Sequence, residues 1–527
     1  MRSTDRGEGD TLEQKRDNAA KTISLVMVIT LLGKALGLYR DRLLAVHYST
    51  GMEANAFFTA SRIPRVFFDA IFASAIAACF IPVFSEYLEK RGRKEALAFA
   101  GQFLTAMALL TGGVTVAGML CPQPLVALFA DYADPQTTAL AVSLTRVMFP
   151  TVLFSGAAFS LVGILQAQDH FTAPALMSAV SNLVIIAYFF TLDGQLGIYG
   201  LAGAYLLGWF LQGAVQLPPL RRLDCRLRPG LALRSEGMKK VFALMGPVMV
   251  ATWVQPITLA INARFGSRLY GGAGVSALEY ASNLYLVIAG VFILSVTNVI
   301  FPRLSRLTAG GQEGAFQSTI RQTVHTSLFF VLPMSVGLMA VARPLISLIY
   351  GGGEFDSFSV EITSTALSWM SLGMVGYALQ NILSRVFFAK QEGRGPLVAG
   401  GVSIAANIAL CLGLTERYSV AGLALASALS STVYALLLLL PLQRRDRLLD
   451  GRSLADFGKM ALSALVMGLC VRLGLRVLGT VLPAGKLGEL AALGLCALGG
   501  AALYFGLTLA LGLEEAKLAV SFRYRKK

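Results

Sequence analysis

Long apolar runs, fourteen in number, constrain what this chain of 527 residues can fold into more than any other feature. Most of them reach the roughly 20 residues that an α-helix needs to cross a hydrocarbon core of about 30 Å. Within a bilayer all backbone polar groups must be paired inside the protein, so such runs predict membrane-spanning helices. The runs cover residues 22–47, 56–84, 97–121, 138–166, 171–191, 198–220, 238–266, 274–302, 316–342, 358–388, 396–415, 419–441, 455–479 and 487–513.

The composition agrees with a membrane protein and excludes several soluble classes. Charged residues make up 14% of the chain, against about 25% in soluble domains. The net charge of +15 does not indicate a nucleic-acid partner, because the basic residues lie mostly in short loops, where they set topology. The six cysteines and three histidines show no ligand spacing, so no metal, cofactor or disulfide framework is predicted. We predict an all-α polytopic membrane protein with about 14 transmembrane helices and no enzymatic activity.

The loops alternate in charge along the chain. One set, which includes 90–94, 221–234 and 444–452, is rich in Lys and Arg, whereas Tyr48–Asn55 and Pro122–Gln136 contain neither. The positive-inside rule places the basic set in the cytosol. Both termini are then cytosolic, with an N-terminal tail at 1–21 and a basic C-terminal tail at 514–527.

An internal repeat divides the spans into two groups of six. Ile81–Ser85 resembles Phe301–Ser305, and Gly200–Ala202 matches Gly422–Ala424 at nearly the same separation along the chain. Six spans per repeat give both halves the same orientation, related by an axis along the membrane normal. The predicted parts are an N-lobe at 22–222, a cytosolic linker at 223–237, a C-lobe at 238–445 and two extra spans at 446–513.

The first two spans contain seven charged residues, each costing about 2.5–3.5 kcal/mol at a helix centre. They are Lys34, Arg40, Asp41, Arg42, Arg62, Arg65 and Asp69. Five cations against two carboxylates leave an excess of positive charge, which suits an anion with several oxygens, such as a phosphate or pyrophosphate. Two like-oriented lobes further predict a central cavity and alternating access. The alternative is that Lys34 and Arg42 extend to water while the others form a structural network.

Spacing predicts some of the pairs inside this cluster. Arg65 and Asp69 are four residues apart and are expected to pair on one helix face. Arg40 and Asp41 are adjacent and point about 100° apart, so we expect no direct pair between them and a cross-helix pair of Asp41 with Arg62. Arg264 occupies the position of the second repeat that corresponds to Arg42. It is expected to face the same anion from the other lobe, or else to be an interfacial arginine.

Several segments resemble the MurJ/MviN lipid II flippase family. They are Gly33–Asp41, Asn55–Phe58, Phe80–Tyr87 and Arg385–Gln391 with the following Pro396. The resemblance implies movement of lipid II, the undecaprenyl-pyrophosphate-linked peptidoglycan precursor, from the cytosolic to the outer leaflet. It also implies that Arg40 and Asp41 are functional and that the last two spans form a groove for the polyprenyl tail. The expected partners are lipid II, membrane lipids and proteins of cell-wall synthesis.

The chain also departs from the family pattern. Lys34 stands where many members have arginine, and Phe68 and Asn283 replace arginines of other members. Some members bind sodium through acidic residues of the seventh span, but residues 238–266 contain no Asp or Glu, so sodium coupling is not predicted. Two alternatives stay open: a flippase for another polyprenyl-linked oligosaccharide, and a multidrug exporter of the same superfamily.

Overall fold

The computed structural model describes residues 4–73, 75–232, 234–446, 448–483 and 485–517, and most of these residues are α-helical. All the predicted apolar runs coincide with helices. Within the described part of the chain, nine helices are long and apolar enough to cross a membrane by length and composition. One of them, Arg394–Arg445, contains two predicted spans, while the first, second, seventh and tenth spans are helices with charges or breaks. The fold prediction is therefore confirmed. Residues 518–527 of the predicted basic tail lie outside the described residues.

The first half of the chain contains ten helices. They are α1 (Thr4–Tyr48), α2 (Met52–Phe67), α3 (Ile81–Lys90), α4 (Arg93–Leu120), α5 (Pro122–Phe129), α6 (Pro135–Met148), α7 (Thr151–Gln166), α8 (Thr172–Thr191), α9 (Asp193–Ala214) and α10 (Leu217–Arg222). Since α1 begins at Thr4, most of the predicted N-terminal tail continues the first span as helix. Two π-helical turns, Phe68–Ala73 and Ala75–Phe80, lie between α2 and α3 in the second span, a feature common near functional sites.

The second half contains ten more. They are α11 (Glu236–Thr252), α12 (Val254–Gly266), α13 (Ala273–Tyr285), α14 (Val291–Ala309), α15 (Glu313–Tyr350), α16 (Ser357–Leu372), α17 (Met374–Ala389), α18 (Arg394–Asp446), α19 (Gly451–Val481) and α20 (Lys486–Ala510). The seventh span breaks before α12, where Pro256 sits in the first turn and its missing N–H removes no helical hydrogen bond. The tenth span breaks at Gly373, where a Cβ atom would lie 2.5 Å from the Cα atom of Ala428.

The chain divides into two compact units. The first contains Met1–Leu44, Ala56–Phe129 and Asp134–Pro256, and the second contains Ala45–Asn55, Ala130–Ala133 and Ile257–Lys527. The seventh span is therefore shared, with α11 in the first unit and most of α12 in the second. The lobe boundaries predicted from the sequence stay predictions.

Aromatic packing and ion pairs hold the middle and one end of the first unit. Phe80 stacks on Phe103 with 4.2 Å between the ring centroids, and α11 packs against the π-helical turn that ends at Phe80. At the end predicted to be cytosolic, Lys240 Nζ lies 3.1 Å from Glu86 Oε1, and Arg91 pairs with Glu236. The hydrogen bond from Lys240 lowers the pKa of the Glu86 carboxyl. These pairs attach α11 to α3.

The second unit includes the turn between the first two spans. Asn55 is buried there, and its Oδ1 atom accepts a hydrogen bond of 3.2 Å from the backbone N–H of Ser276 in the first turn of α13. The hydroxyl of Tyr132 donates to the Asn55 carbonyl at 2.9 Å. Because the first N–H groups of a helix lack intrahelical acceptors, Asn55 satisfies one end of α13 from a distant part of the sequence.

The backbone repeats at the same spacing as the sequence. Chain reversals with positive φ recur at one constant separation, at Ser49 and Gly271, Asp169 and Gln391, and Gly197 and Ser419. A left-handed conformation is uncommon for residues other than glycine, so three pairs at one spacing are not a coincidence. The repeat of six spans predicted from short sequence matches is confirmed at the level of backbone conformation.

The last of these pairs gives a stability prediction. Ser419 has φ 51° and ψ −129°, close to the φ 52° and ψ −147° of Gly197, a region that costs a residue with a side chain about 1–3 kcal/mol. We expect Ser419→Gly to raise the melting temperature of the purified protein in detergent. Gly197→Ser should lower it through the backbone alone, since no atom lies within 4 Å of the added Cβ. Ser431→Gly, inside α18, is the matched control and should destabilise; equal losses for Ser419→Gly and Ser431→Gly would contradict this account.

Candidate functional site

The residues predicted to bind an anion lie on three helices in the two units. Lys34, Arg40, Asp41 and Arg42 are on α1, Arg62 and Arg65 are on α2, and Arg264 is on α12. All except Arg264 belong to the first unit. Lys34 and Arg65 are exposed, Arg40, Arg42 and Arg62 are half-buried, and Asp41 is buried. Counting Asp69, the first unit therefore contains the five cations and two carboxylates of the predicted cluster, with a net charge of +3 if all are ionised. That they surround one anion stays a prediction.

Arg40 and Asp41 pair directly, so the prediction that they do not was wrong. Arg40 Nη2 lies 2.6 Å and Nε 3.0 Å from Asp41 Oδ1. The two Cβ atoms do diverge, but the arginine stem is long enough for its guanidinium to fold back over the neighbouring carboxylate. The Asp41 side chain is only 8% exposed, and a buried carboxylate without a cation would be strongly destabilising. The cross-helix pair of Asp41 with Arg62 stays a prediction.

Asn182 on α8 holds the other side of Arg40. Arg40 Nη1 donates to Asn182 Oδ1 at 2.9 Å, and Asn182 Nδ2 donates to the carbonyl of Gly33 at 3.0 Å. A Cβ atom at Gly37 would lie 3.2 Å from Asn182 Nδ2, so the glycine lets α8 approach α1 closely. Asn182 was not identified from the sequence; the signal was that it is the one Asn or Gln side chain in the fifth span.

Arg65 and Asp69 form the pair that their spacing predicts. Arg65 Nε lies 3.5 Å from Asp69 Oδ2, and the two side chains are 58% and 46% exposed. An exposed pair of this kind contributes little to stability. The two charge pairs therefore differ in their surroundings. Arg40 is half-buried and contacts both Asp41 and Asn182, whereas the Arg65–Asp69 pair is exposed.

Arg264 lies in a second charged group. Its Nη2 atom is 3.7 Å from Asp131 Oδ2, and Arg268 Nη2 is 2.6 Å from the same oxygen. Two guanidinium groups thus share one carboxylate. Asp131 lies between α5 and α6 along the chain, and only the fold brings it to α12. That Arg264 faces the same anion as Arg40 stays a prediction.

The seventh span contributes a neutral polar group where the resemblance implies acidic sodium ligands in some relatives. Asn262 Nδ2 donates to Ser427 Oγ at 2.8 Å, and Asn407 Nδ2 donates to Asn262 Oδ1 at 3.0 Å. Within the described residues, no three His, Cys, Asp or Glu side chains are grouped so that they could hold a metal ion. Amides and a hydroxyl lack the negative charge of an acidic cation site. The expectation that sodium is not coupled to transport stays a prediction.

Two relatives align with nearly the whole of this chain. A lipid II flippase MurJ from Burkholderia cenocepacia is 29% identical, and the alignment covers 97% of this chain and 100% of that one. A probable lipid II flippase MurJ from Rhizobium meliloti is 27% identical, covering 96% of each chain.

Solved structures show the same fold. The lipid II flippase MurJ in its inward closed conformation superposes with a TM-score of 0.77 at 24% identity, covering 92% of this chain and 98% of that one. An inward-facing multidrug resistance MATE family transporter of the MOP superfamily gives 0.65 at 14% identity, covering 80% and 98%. The family model for the lipid II flippase MurJ matches residues 44–485. Because this match spans most of the sequence, the chain belongs to the lipid II flippase MurJ family.

Proposed function

We propose that this protein moves lipid II from the inner to the outer leaflet of the bacterial cell membrane. The observation that supports this most directly is Arg40, held between Asp41 and Asn182 in a cluster of net charge +3, in a chain of the lipid II flippase MurJ family. Lipid II is an anion with a large polar head and a long apolar tail. A transporter, rather than an enzyme, has to bind all three parts without changing them.

In this proposal the cationic cluster binds the pyrophosphate. Guanidinium groups form charge-assisted hydrogen bonds with phosphate oxygens, often two at a time. Arg40 is oriented before the substrate arrives, because Asp41 and Asn182 fix it on two sides. A group that is already ordered loses less conformational entropy on binding. The polyprenyl tail would lie along the last two spans. The positive excess disfavours cationic drugs as cargo.

In the same proposal, the negative charge of lipid II determines the direction in which it is moved. An inside-negative potential favours outward movement of an anion by about 2.3 kcal/mol per charge per 100 mV. We expect an imposed inside-negative potential to accelerate the appearance of labelled lipid II on the outer leaflet of proteoliposomes. The measurement compares a potassium diffusion potential of either sign with none. A rate that is the same under all three conditions would contradict a charge-driven step.

The function itself is tested in a bacterium depleted of its own lipid II flippase. We expect this chain to restore growth and to return lipid II to the outer leaflet, where an externally added lipid II-cleaving protein can reach it. Expression of an unrelated multi-pass protein serves as the control. If growth and accessible lipid II both fail to recover while the chain is present in the membrane, lipid II is not its cargo, and another polyprenyl-linked oligosaccharide becomes the candidate.

A further inference from the structure

The thirteenth span carries two arginines on a face of α19 that does not pack inside the protein. The buried face of α19 includes Met460, Ala464, Met467, Gly468 and Val471. The opposite face is exposed and apolar along its length, with Leu462, Leu465, Leu469, Leu473 and Val477. Arg472 and Arg476 interrupt this apolar face and are exposed. They are four residues apart, so both guanidinium groups emerge on the same side of the helix.

Neither arginine has an acidic partner in the described part of the chain. No ion pair or hydrogen bond of the Arg472 or Arg476 side chain occurs among the described residues. Lys486, nearby along the sequence, in contrast donates to the Gly351 carbonyl at 3.1 Å. An arginine on a lipid-facing helix is costly unless it reaches an anion or water, so two without a partner require an explanation.

Depth decides which anions they can reach. Arg476 lies five residues and Arg472 nine residues before the end of α19 at Val481, which places their Cα atoms about 7.5 and about 13.5 Å along the helix from that end. Long arginine side chains extend toward the membrane interface from such positions. The phosphate groups of membrane lipids lie at that interface, at the end of α19 predicted to be outside.

We propose that Arg472 and Arg476 together bind the phosphate of an anionic phospholipid at this face of α19. Two guanidinium forks one helical turn apart can surround a single phosphate, which offers enough oxygens for both. The acyl chains then cover the leucine-rich face below. A phospholipid is favoured over the lipid II pyrophosphate because Arg472 and Arg476 extend to the membrane interface, where phospholipid phosphates lie, whereas the proposed pyrophosphate site is at Arg40 on α1. It is favoured over an acidic protein helix because that face carries no small-residue stripe for close helix packing.

The test uses the purified full chain and native mass spectrometry, with phosphatidylglycerol as the anionic probe and phosphatidylethanolamine as the zwitterionic one. We expect the wild-type chain to retain phosphatidylglycerol preferentially, and Arg472→Gln/Arg476→Gln to lose about tenfold of that affinity. Arg472→Lys/Arg476→Lys keeps the charge without the planar guanidinium fork. Its affinity for phosphatidylglycerol should lie between those of the wild-type chain and the double glutamine variant. Arg394→Gln/Arg452→Gln, exposed at the other membrane face, removes the same net charge and should retain the lipid.

Three results would overturn the proposal. Unchanged phosphatidylglycerol retention in the double glutamine variant would show that the arginines do not bind it. An equal loss of phosphatidylglycerol affinity in the Arg394→Gln/Arg452→Gln control would show that the effect comes from the overall charge of the protein. Displacement of phosphatidylglycerol by undecaprenyl phosphate at equal concentration would assign the site to the transported lipid instead. Should the double variant fail to fold, Arg476→Gln alone, nearer the helix end, is expected to give a smaller loss in the same direction.

Discussion

Arg40→Ala is expected to abolish growth rescue in cells depleted of their own flippase and to reduce lipid II movement at least about 100-fold. The substitution removes charge-assisted hydrogen bonds worth about 1.5–3 kcal/mol each from the proposed pyrophosphate site. It also leaves the Asp41 side chain, 8% exposed, without its closest cation. Growth, outer-leaflet lipid II and membrane abundance of the protein are measured together, so that loss of transport is separated from loss of protein.

Two variants separate binding from folding in this experiment. Arg65→Ala removes one positive charge from the same cluster, but its pair with Asp69 is exposed, so we expect a much smaller loss of transport. Arg40→Ala/Asp41→Ala removes both members of the buried pair and should recover the thermal stability lost in Arg40→Ala. It should not recover transport. Transport restored in this double variant would remove Arg40 from the mechanism.

Asn182→Ala is expected to reduce lipid II movement about tenfold while the protein still reaches the membrane. Asn182 accepts from Arg40 Nη1 at 2.9 Å and donates to the Gly33 carbonyl at 3.0 Å, so alanine leaves Arg40 held on one side only. A hydrogen bond to a charged group such as the Arg40 guanidinium contributes about 1.5–3 kcal/mol. The measurement is the initial rate in proteoliposomes.

Ser178→Ala is the matched control for this prediction. Ser178 lies one turn before Asn182 on α8 and accepts only a long hydrogen bond of 3.4 Å from its amide. We expect it to transport at nearly the wild-type rate. If Ser178→Ala and Asn182→Ala lose the same activity, α8 acts through helix packing and the orientation of Arg40 is not the cause.

The spans and the repeat could be predicted from the sequence because both follow from local patterns. A run of about 20 apolar residues is sufficient to predict a membrane helix. Chain reversals at equal spacing, such as Gly197 and Ser419, confirm the repeat independently of side chains. The π-helical turns between Phe68 and Phe80 and the break before α12 could not be predicted, because they depend on packing against other helices.

The site was predictable in its residue types and less so in its contacts. Charged residues are rare inside apolar spans, so Arg40 and Arg65 could be predicted as site residues from the sequence. Spacing gives the direction of each Cβ atom but not the reach of a long side chain, so the Arg40–Asp41 pair was missed. Asn182 and Asp131 come from other parts of the chain, and only the tertiary fold places them beside Arg40 and Arg264.

The most direct test of the proposed role of the cationic cluster is the rate at which labelled lipid II crosses the bilayer of proteoliposomes. The rate is measured with the wild-type chain and with Arg40→Ala at equal protein density. The account predicts rapid crossing with the wild-type chain and a rate with Arg40→Ala that matches protein-free vesicles. Equal crossing with both proteins, each folded and inserted, would contradict it.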